Sequence, residues 1–333
     1  MNEADIQVLA SLRRAELENE SSDRATLESH ADRFWLFVED WADSYSRLIS
    51  EGLVEGDDEG YRLTETGRPL GEKYHEEKPD HYWYYYQILY PAAQSSETHT
   101  RLCERVFGKD LCQDGQADME SIDTMLSLLE LKDGDTLLDL GCGAGGISEY
   151  VSDTTGARVT GLDDAPTAVE TANARTKGKR DRLQFVQGDM NALDLPQRSF
   201  DAVMSVDTIY WAQDIDKALS LIVRLIKPGG RLGIFIAHTP EYGEGPGSME
   251  PDGSWIAVSL SKLGIEYDVY DYTESFLKFW PRMKQVAVEL HDDFVAEGNE
   301  FIYGALLKDA DEDYLLMAAS GDLRRYLYIA RVP

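Results

Sequence analysis

The sequence predicts an α/β fold: a doubly wound, mostly parallel sheet in residues 118–333, preceded by a mainly helical N-terminal domain. Three observations point there. Short apolar runs alternate with amphipathic helical stretches through the C-terminal two-thirds, which is the pattern of strand–helix–strand units. A glycine-rich stretch, LLDLGCGAGG over 137–146, follows the first of those runs. Acidic residues, Asp163 and Asp189, then close the next two.

Taken in order, residues 1–30 read as a polar helix with few apolar anchors. From 31 onward Phe34, Phe37, Val38, Trp41, Tyr45, Leu48 and Ile49 fall at helical spacing, with Gly52 placed to stop the helix. Two short strand candidates flank an acidic, glycine-containing turn, and Thr64 is positioned to start another helix. Helix, two-stranded wing, helix is the outline of a winged helix over about residues 31–75. Its wing carries Glu55, Asp57, Asp58 and Glu59, which repel a phosphate backbone. Residues 1–80 are therefore expected to serve dimerisation or act as a lid, giving a possible homodimer. Residues 81–117 read as an aromatic-rich connecting cap with Tyr82, Trp83, Tyr84, Tyr85, Tyr86 and Tyr90. Aromatic rings supply much of the area in buried contacts, and their faces attract cations. Tyr85 and Tyr90 are the two expected to touch a substrate.

In residues 118–333 the strand candidates are TLLDLG, ARVTGLD, LQFVQGD, FDAVMSVD and RLGIFIAH, separated by helical segments. The helix DIDKALSLIVRLIKPGG ends on a Pro-Gly-Gly stop. IEYDVYDYT and LRRYLYIARV, with a helical stretch from about 274 to 298 between them, are expected to close the sheet as a terminal pair. In such sheets ligands bind at the carboxyl ends of the strands.

Composition narrows the partners. The chain has 333 residues and a formal charge of −30, from 62 acidic and 32 basic residues. Among the latter, arginine outnumbers lysine 20 to 12. A surface this acidic disfavours nucleic acid and anionic membranes. It is also how proteins of a salty cytoplasm look, where salt screens the self-repulsion. No apolar run is long enough to span a bilayer, and the N-terminus is polar and acidic, so neither a membrane span nor a signal peptide is expected. Cys103, Cys112 and Cys142, at unrelated spacings, suggest neither a zinc set nor a disulfide framework, and a reducing cytoplasm is the expected location.

In Asp139-x-Gly141-x-Gly143-x-Gly145 the acid ends a strand and the glycines open a helix, letting the backbone turn tightly near a ligand. An acid pointing into that turn repels a pyrophosphate but suits an amino group. Asp163 lies about 20 residues beyond, where a carboxylate can hold ribose hydroxyls. Asp189 can accept from an exocyclic amine, with Met190 packing on a base. A ligand with an amino group, a ribose and an adenine fits these three acids.

On LLDLGCGAG, VTGLD, VQGDM, SFDAVMSVD and LIKPGGRL, residues 118–333 resemble the class I S-adenosylmethionine-dependent methyltransferases, in their small-molecule branch. The resemblance implies a Rossmann-like seven-stranded sheet whose last strand is antiparallel, S-adenosyl-L-methionine as cofactor, and a small-molecule substrate. It implies a cofactor site of Asp139, Gly141, Gly143, Gly145, Asp163, Asp189, Met190 and Ser205. The acceptor is not carried over. Loops after the fourth and fifth strands offer Asp207, Tyr210 and His238 as catalytic candidates, His238 as the base, with Trp211 and Tyr242 as pocket walls. The His–Asp/Glu arrangement of O-methyltransferases has no clear match and no di-acidic metal site is readable. N-, S- or C-methylation is therefore expected over metal-dependent O-methylation, and no metal. The alternatives are a cyclase or lyase acting on the cofactor's aminobutyrate arm, and a winged-helix regulator.

Overall fold

All seven strands expected in the C-terminal region form, and they join one sheet. The computed structural model describes residues 1–33, 41–77, 81–240 and 247–333. Phe34, Phe37, Val38 and Tyr242 lie outside them. The chain divides into two units, 1–89 and 90–333, with the division inside the aromatic-rich segment.

In the first unit a hairpin of β1 (Val54–Asp57) and β2 (Gly60–Leu63) pairs antiparallel. Helices Glu3–Glu18, Arg24–Arg33, Ala42–Ser50 and Arg68–Glu77 accompany it. The first helix is better anchored than the polar helix expected: Val8, Leu9, Leu12 and Ala15 are buried with Trp41, Tyr45, Leu48 and Tyr61 in one cluster. Their i, i+3/i+4 spacing is a narrow apolar stripe on an otherwise polar helix, easily read as too thin to anchor it. Thr64 Oγ1 accepts from the Gly67 amide at 3.0 Å, ahead of the helix that follows.

In the second unit the strands are β3 (Thr136–Leu140), β4 (Arg158–Asp163), β5 (Leu183–Gln187), β6 (Phe200–Val206), β7 (Ile226–His238), β8 (Glu266–Asp271) and β9 (Arg324–Arg331). Their order is β5-β4-β3-β6-β7-β9-β8, with β9 antiparallel to both β7 and β8 and the other pairings parallel. The final pair thus closes the sheet with β9 inserted between β7 and β8. Side chains alternate between two cores, as the period of two requires. Leu137, Ala202, Met204, Phe235 and Leu327 meet helices Met119–Leu129, Gly146–Thr155 and Pro166–Arg175. Leu138, Val203, Ile234, Ile236 and Tyr328 meet helices Ile215–Leu225 and Trp255–Lys262 on the other face. Strands buried on both faces explain the near-continuous apolar runs in the sequence.

Between β8 and β9 the chain makes more helix than expected. Thr273–Glu289 and His291–Ala296 cover the predicted stretch, and Glu300–Lys308, a π-helical Asp309–Tyr314 and Leu315–Ser320 follow. Among the described residues no helix is long and apolar enough to cross a membrane.

Candidate functional site

The order β5-β4-β3 brings the carboxyl ends carrying Asp189, Asp163 and Asp139 side by side. Between β3 and the helix Gly146–Thr155 the chain turns through Gly141, Gly143 and Gly145, all left-handed at φ 71, 51 and 74°. Gly141 and Cys142 both donate their amides to the Leu162 carbonyl, at 2.7 and 3.1 Å, which ties the turn to β4. Neighbours leave no room for side chains there. A Cβ on Gly141 would stand 2.4 Å from Thr208 Cγ2, and one on Gly143 2.7 Å from the Tyr90 hydroxyl.

The carboxylates differ in environment. Asp139 is 3% exposed, and its Oδ2 accepts from the Ser148 hydroxyl at 2.6 Å. Burial is the main cause that pushes its pKa up to about 7, and the charge of Asp163 adds to it. Asp163 accepts from the Gly143 amide at 2.8 Å and the Ala165 amide at 3.0 Å, yet burial still raises it to about 6. Two neighbouring acids with raised pKa values, beside a backbone turn free of side chains, suit a ligand that brings a positive charge and hydroxyl donors. Asp189 is exposed and accepts from the amide and side-chain nitrogen of Asn191, at 2.7 and 2.9 Å. Met190 beside it is buried.

Ser205 sits elsewhere in this scheme. It is fully buried, its hydroxyl 2.7 Å from Thr208 Oγ1, which donates to the Leu140 carbonyl at 2.6 Å. Ser205 and Thr208 therefore buttress the glycine turn from below. Tyr90 lies against Gly143, and burial, then the charges of Asp163 and Asp114, holds its phenol well above the usual range. Tyr210 and Trp211 are half-buried with ring centroids 5.2 Å apart, and Gln213 donates its amide to Asn191 Oδ1, joining this loop to the Asp189 turn. Tyr85 belongs to the first unit and is buried there.

The two foremost catalytic candidates are committed elsewhere. His238, 1% exposed, accepts from Trp255 Nε1 at Nδ1 (3.2 Å), which leaves Nε2 to carry the proton, 3.3 Å from the Tyr328 hydroxyl. Burial, helped by Arg325, lowers its pKa to about 4. This geometry is that of a structural histidine and differs from the base expected. Asp207, 6% exposed, makes two bonds to Arg325, at 2.7 and 2.9 Å, and accepts from the Gln116 amide at 2.7 Å. Arg325 lies between Phe235 and Phe276, 4.4 and 4.8 Å from their centroids. Asp207 is thus half of a buried ion pair. Sequence reading missed Arg325, Gln116 and Thr208. Only Thr208 carried a signal, standing inside the motif SVDTIYW directly after Asp207.

Comparison with known proteins agrees with this architecture. Residues 138–234 match the family described as methyltransferase domain. The chain is 26% identical over 246 residues to phosphoethanolamine N-methyltransferase 3 of Arabidopsis thaliana, covering 68% of this chain and 48% of that enzyme. It is 39% identical over 107 residues to a sterol 24-C-methyltransferase of Gibberella zeae, covering 32% of this chain and 28% of that enzyme. Among solved structures, phosphoethanolamine N-methyltransferase 2 of Haemonchus contortus, bound to phosphomonomethylethanolamine and S-adenosylhomocysteine, superposes with a TM-score of 0.59 at 22% identity. That match covers 74% of this chain and 60% of the other. The chain thus spans about half or less of the curated relatives it matches. Residues 138–234 thus match a methyltransferase domain, and the second unit has the fold of the solved methyltransferase it superposes on. The relatives it matches are named for small acceptors, phosphoethanolamine and sterols, and the solved neighbour holds S-adenosylhomocysteine.

Proposed function

We propose that the chain moves the methyl group of S-adenosylmethionine to nitrogen, sulfur or carbon of a small molecule, with no general base drawn from His238 or Asp207. The observation that carries this reading is the commitment of those two side chains to buried partners. Bound cofactor supplies an electrophilic methyl group, so the chain's task is chiefly alignment. Asp139 would face the amino group, Asp163 the ribose hydroxyls, and Asp189 with Met190 the adenine. Tyr90 and Trp211 would border the acceptor, holding it and excluding water. An acceptor with a free lone pair or a nucleophilic double bond needs no deprotonation before attack.

The test is product analysis with the purified chain, S-adenosylmethionine and an acceptor panel that includes phosphoethanolamine, a sterol and a small thiol. S-adenosylhomocysteine and a methylated acceptor are expected. Methylthioadenosine in its place would mean attack on the aminobutyrate carbon and would overturn the reading. His238→Gln should lower thermal stability while leaving kcat of the folded fraction within about threefold. A loss of the 10²–10⁴-fold typical of a general base, at unchanged stability, would restore His238 to the chemistry.

A further inference from the structure

The helix Glu97–Phe107 and the loop after it hold a cluster that the methyl-transfer reading does not use. His99 and Cys103, at i and i+4, share one face of the helix, and both are buried. Asp110, after the Gly108 cap, folds back on them, so that one ligand-type atom from each of the three lies within 4.8 Å of the others. In the sequence the cysteines stand at unrelated spacings and mark no such set. The fold supplies a histidine and a carboxylate instead.

Two features separate this cluster from ordinary core packing. Among the described residues, the only hydrogen-bond-range contact of either His99 ring nitrogen is the Cys103 sulfur, at 3.6 Å from Nδ1 and 3.9 Å from Nε2. A thiol is a weak partner for a buried imidazole, and buried polar groups normally find better ones. Second, the sulfur stands nearly equidistant from the two ring nitrogens and so faces the ring, and a turn of the imidazole brings one nitrogen and Sγ to the ~3.5 Å spacing that bonds of about 2.0 Å to nitrogen and about 2.3 Å to sulfur set. Asp110 is half-buried and anchored, accepting from Thr100 Oγ1 at 2.7 Å and the Cys112 amide at 2.8 Å. Each of its oxygens keeps a lone pair after those bonds.

We infer that His99, Cys103 and Asp110 bind one divalent transition-metal ion of zinc-like softness. Imidazole, thiolate and carboxylate are a donor set for such an ion, with the fourth position left to water. On binding, Cys103 releases its thiol proton to solvent as the sulfur–metal bond forms. The ion acts structurally. It pins the helix to the loop that continues past Leu111, whose carbonyl lies against Gly146, to Gln116, whose amide binds Asp207. Metal binding therefore stiffens the segment lying across the start of the helix that follows the glycine turn.

The test uses the full chain, reduced and treated with chelator, and titrated with cobalt(II) as a spectroscopic probe. One equivalent per chain should give a near-ultraviolet thiolate-to-cobalt band that zinc(II) displaces, and zinc should raise Tm. Cys103→Ser should abolish the band. Should that variant not fold, Asp110→Asn, at a half-exposed position, should weaken cobalt binding at least about tenfold. The absence of a band in the wild-type chain, or a full band in Cys103→Ser, would overturn the site. Neither readout depends on methyl transfer.

Discussion

Asp139 carries a conflict between stability and binding. Its pKa in the folded, ligand-free chain is raised to about 7 from an ordinary 3.8, because burial disfavours the charge more than the Ser148 hydroxyl supports it. The folded state thus keeps a proton that the unfolded chain loses. Stability contributed at this residue is full below about pH 4 and falls as pH rises to about 7, by up to ~4 kcal/mol. Asp139→Asn keeps an acceptor for Ser148 and removes the charge, so it should raise Tm at pH 8 and change it little at pH 4. The same substitution should weaken binding of S-adenosylmethionine at pH 8 by about 1–3 kcal/mol, through loss of a charged partner for the amino group. Thermal melts at both pH values and calorimetry check the two halves; equal affinity in the variant would remove Asp139 from the cofactor site. The placement of three acids was legible in the sequence: Asp139 and Asp163 lie at the ends of β3 and β4, and Asp189 just past β5. His238 was expected as the base from its strand end alone, and strand position says nothing of Trp255 and Tyr328 packed around it.

At the scale of elements, β6 and β9 are joined by an ion pair between residues 118 positions apart in the chain. Asp207 adopts φ 55°, a left-handed conformation that costs a non-glycine residue free energy, though aspartate tolerates it better than most. Arg325 compensates its charge, and Phe235 and Phe276 flank the guanidinium. Arg325→Ala would strand a buried carboxylate, and urea unfolding should show a loss of about 3–5 kcal/mol. Asp207→Asn with Arg325→Met should lose clearly less than the two single variants summed, because the pair is coupled. Strict additivity would mean that the pair contributes nothing as a unit. No sequence pattern announces such a partnership, since nothing in LRRYLYIARV sets Arg325 apart from Arg324 and Arg331. The seven strands were legible for the opposite reason: apolar runs and turn residues are local signals. The helices over 300–320 were not, because their apolar residues are many but few of those described are buried, so they mark no clear inward face.

For the whole molecule the charge balance sets the prediction. The 62 acidic residues exceed the 32 basic ones by 30, so even if every base were paired, 30 acids would have no basic partner. Salt acts on both populations. It weakens exposed ion pairs such as Arg62–Glu55 and Lys278–Glu274, which contribute little to begin with. It also screens repulsion among the excess acids as the Debye length shrinks from about 10 Å at 0.1 M to about 3 Å at 1 M. The excess of 30 nearly equals the 32 pairs the bases could form, and its repulsion extends over many neighbours where a pair involves two groups. Repulsion therefore dominates, and Tm should climb steadily from 0.1 to 2 M potassium chloride. Chloride is the suitable anion, because sulfate would strengthen apolar burial by exclusion and confuse the cause. Replacing a block of exposed acids in the β1–β2 turn, Asp57, Asp58 and Glu59, by their amides should flatten that rise, while a Tm that falls with salt would show the exposed ion pairs to be the larger effect.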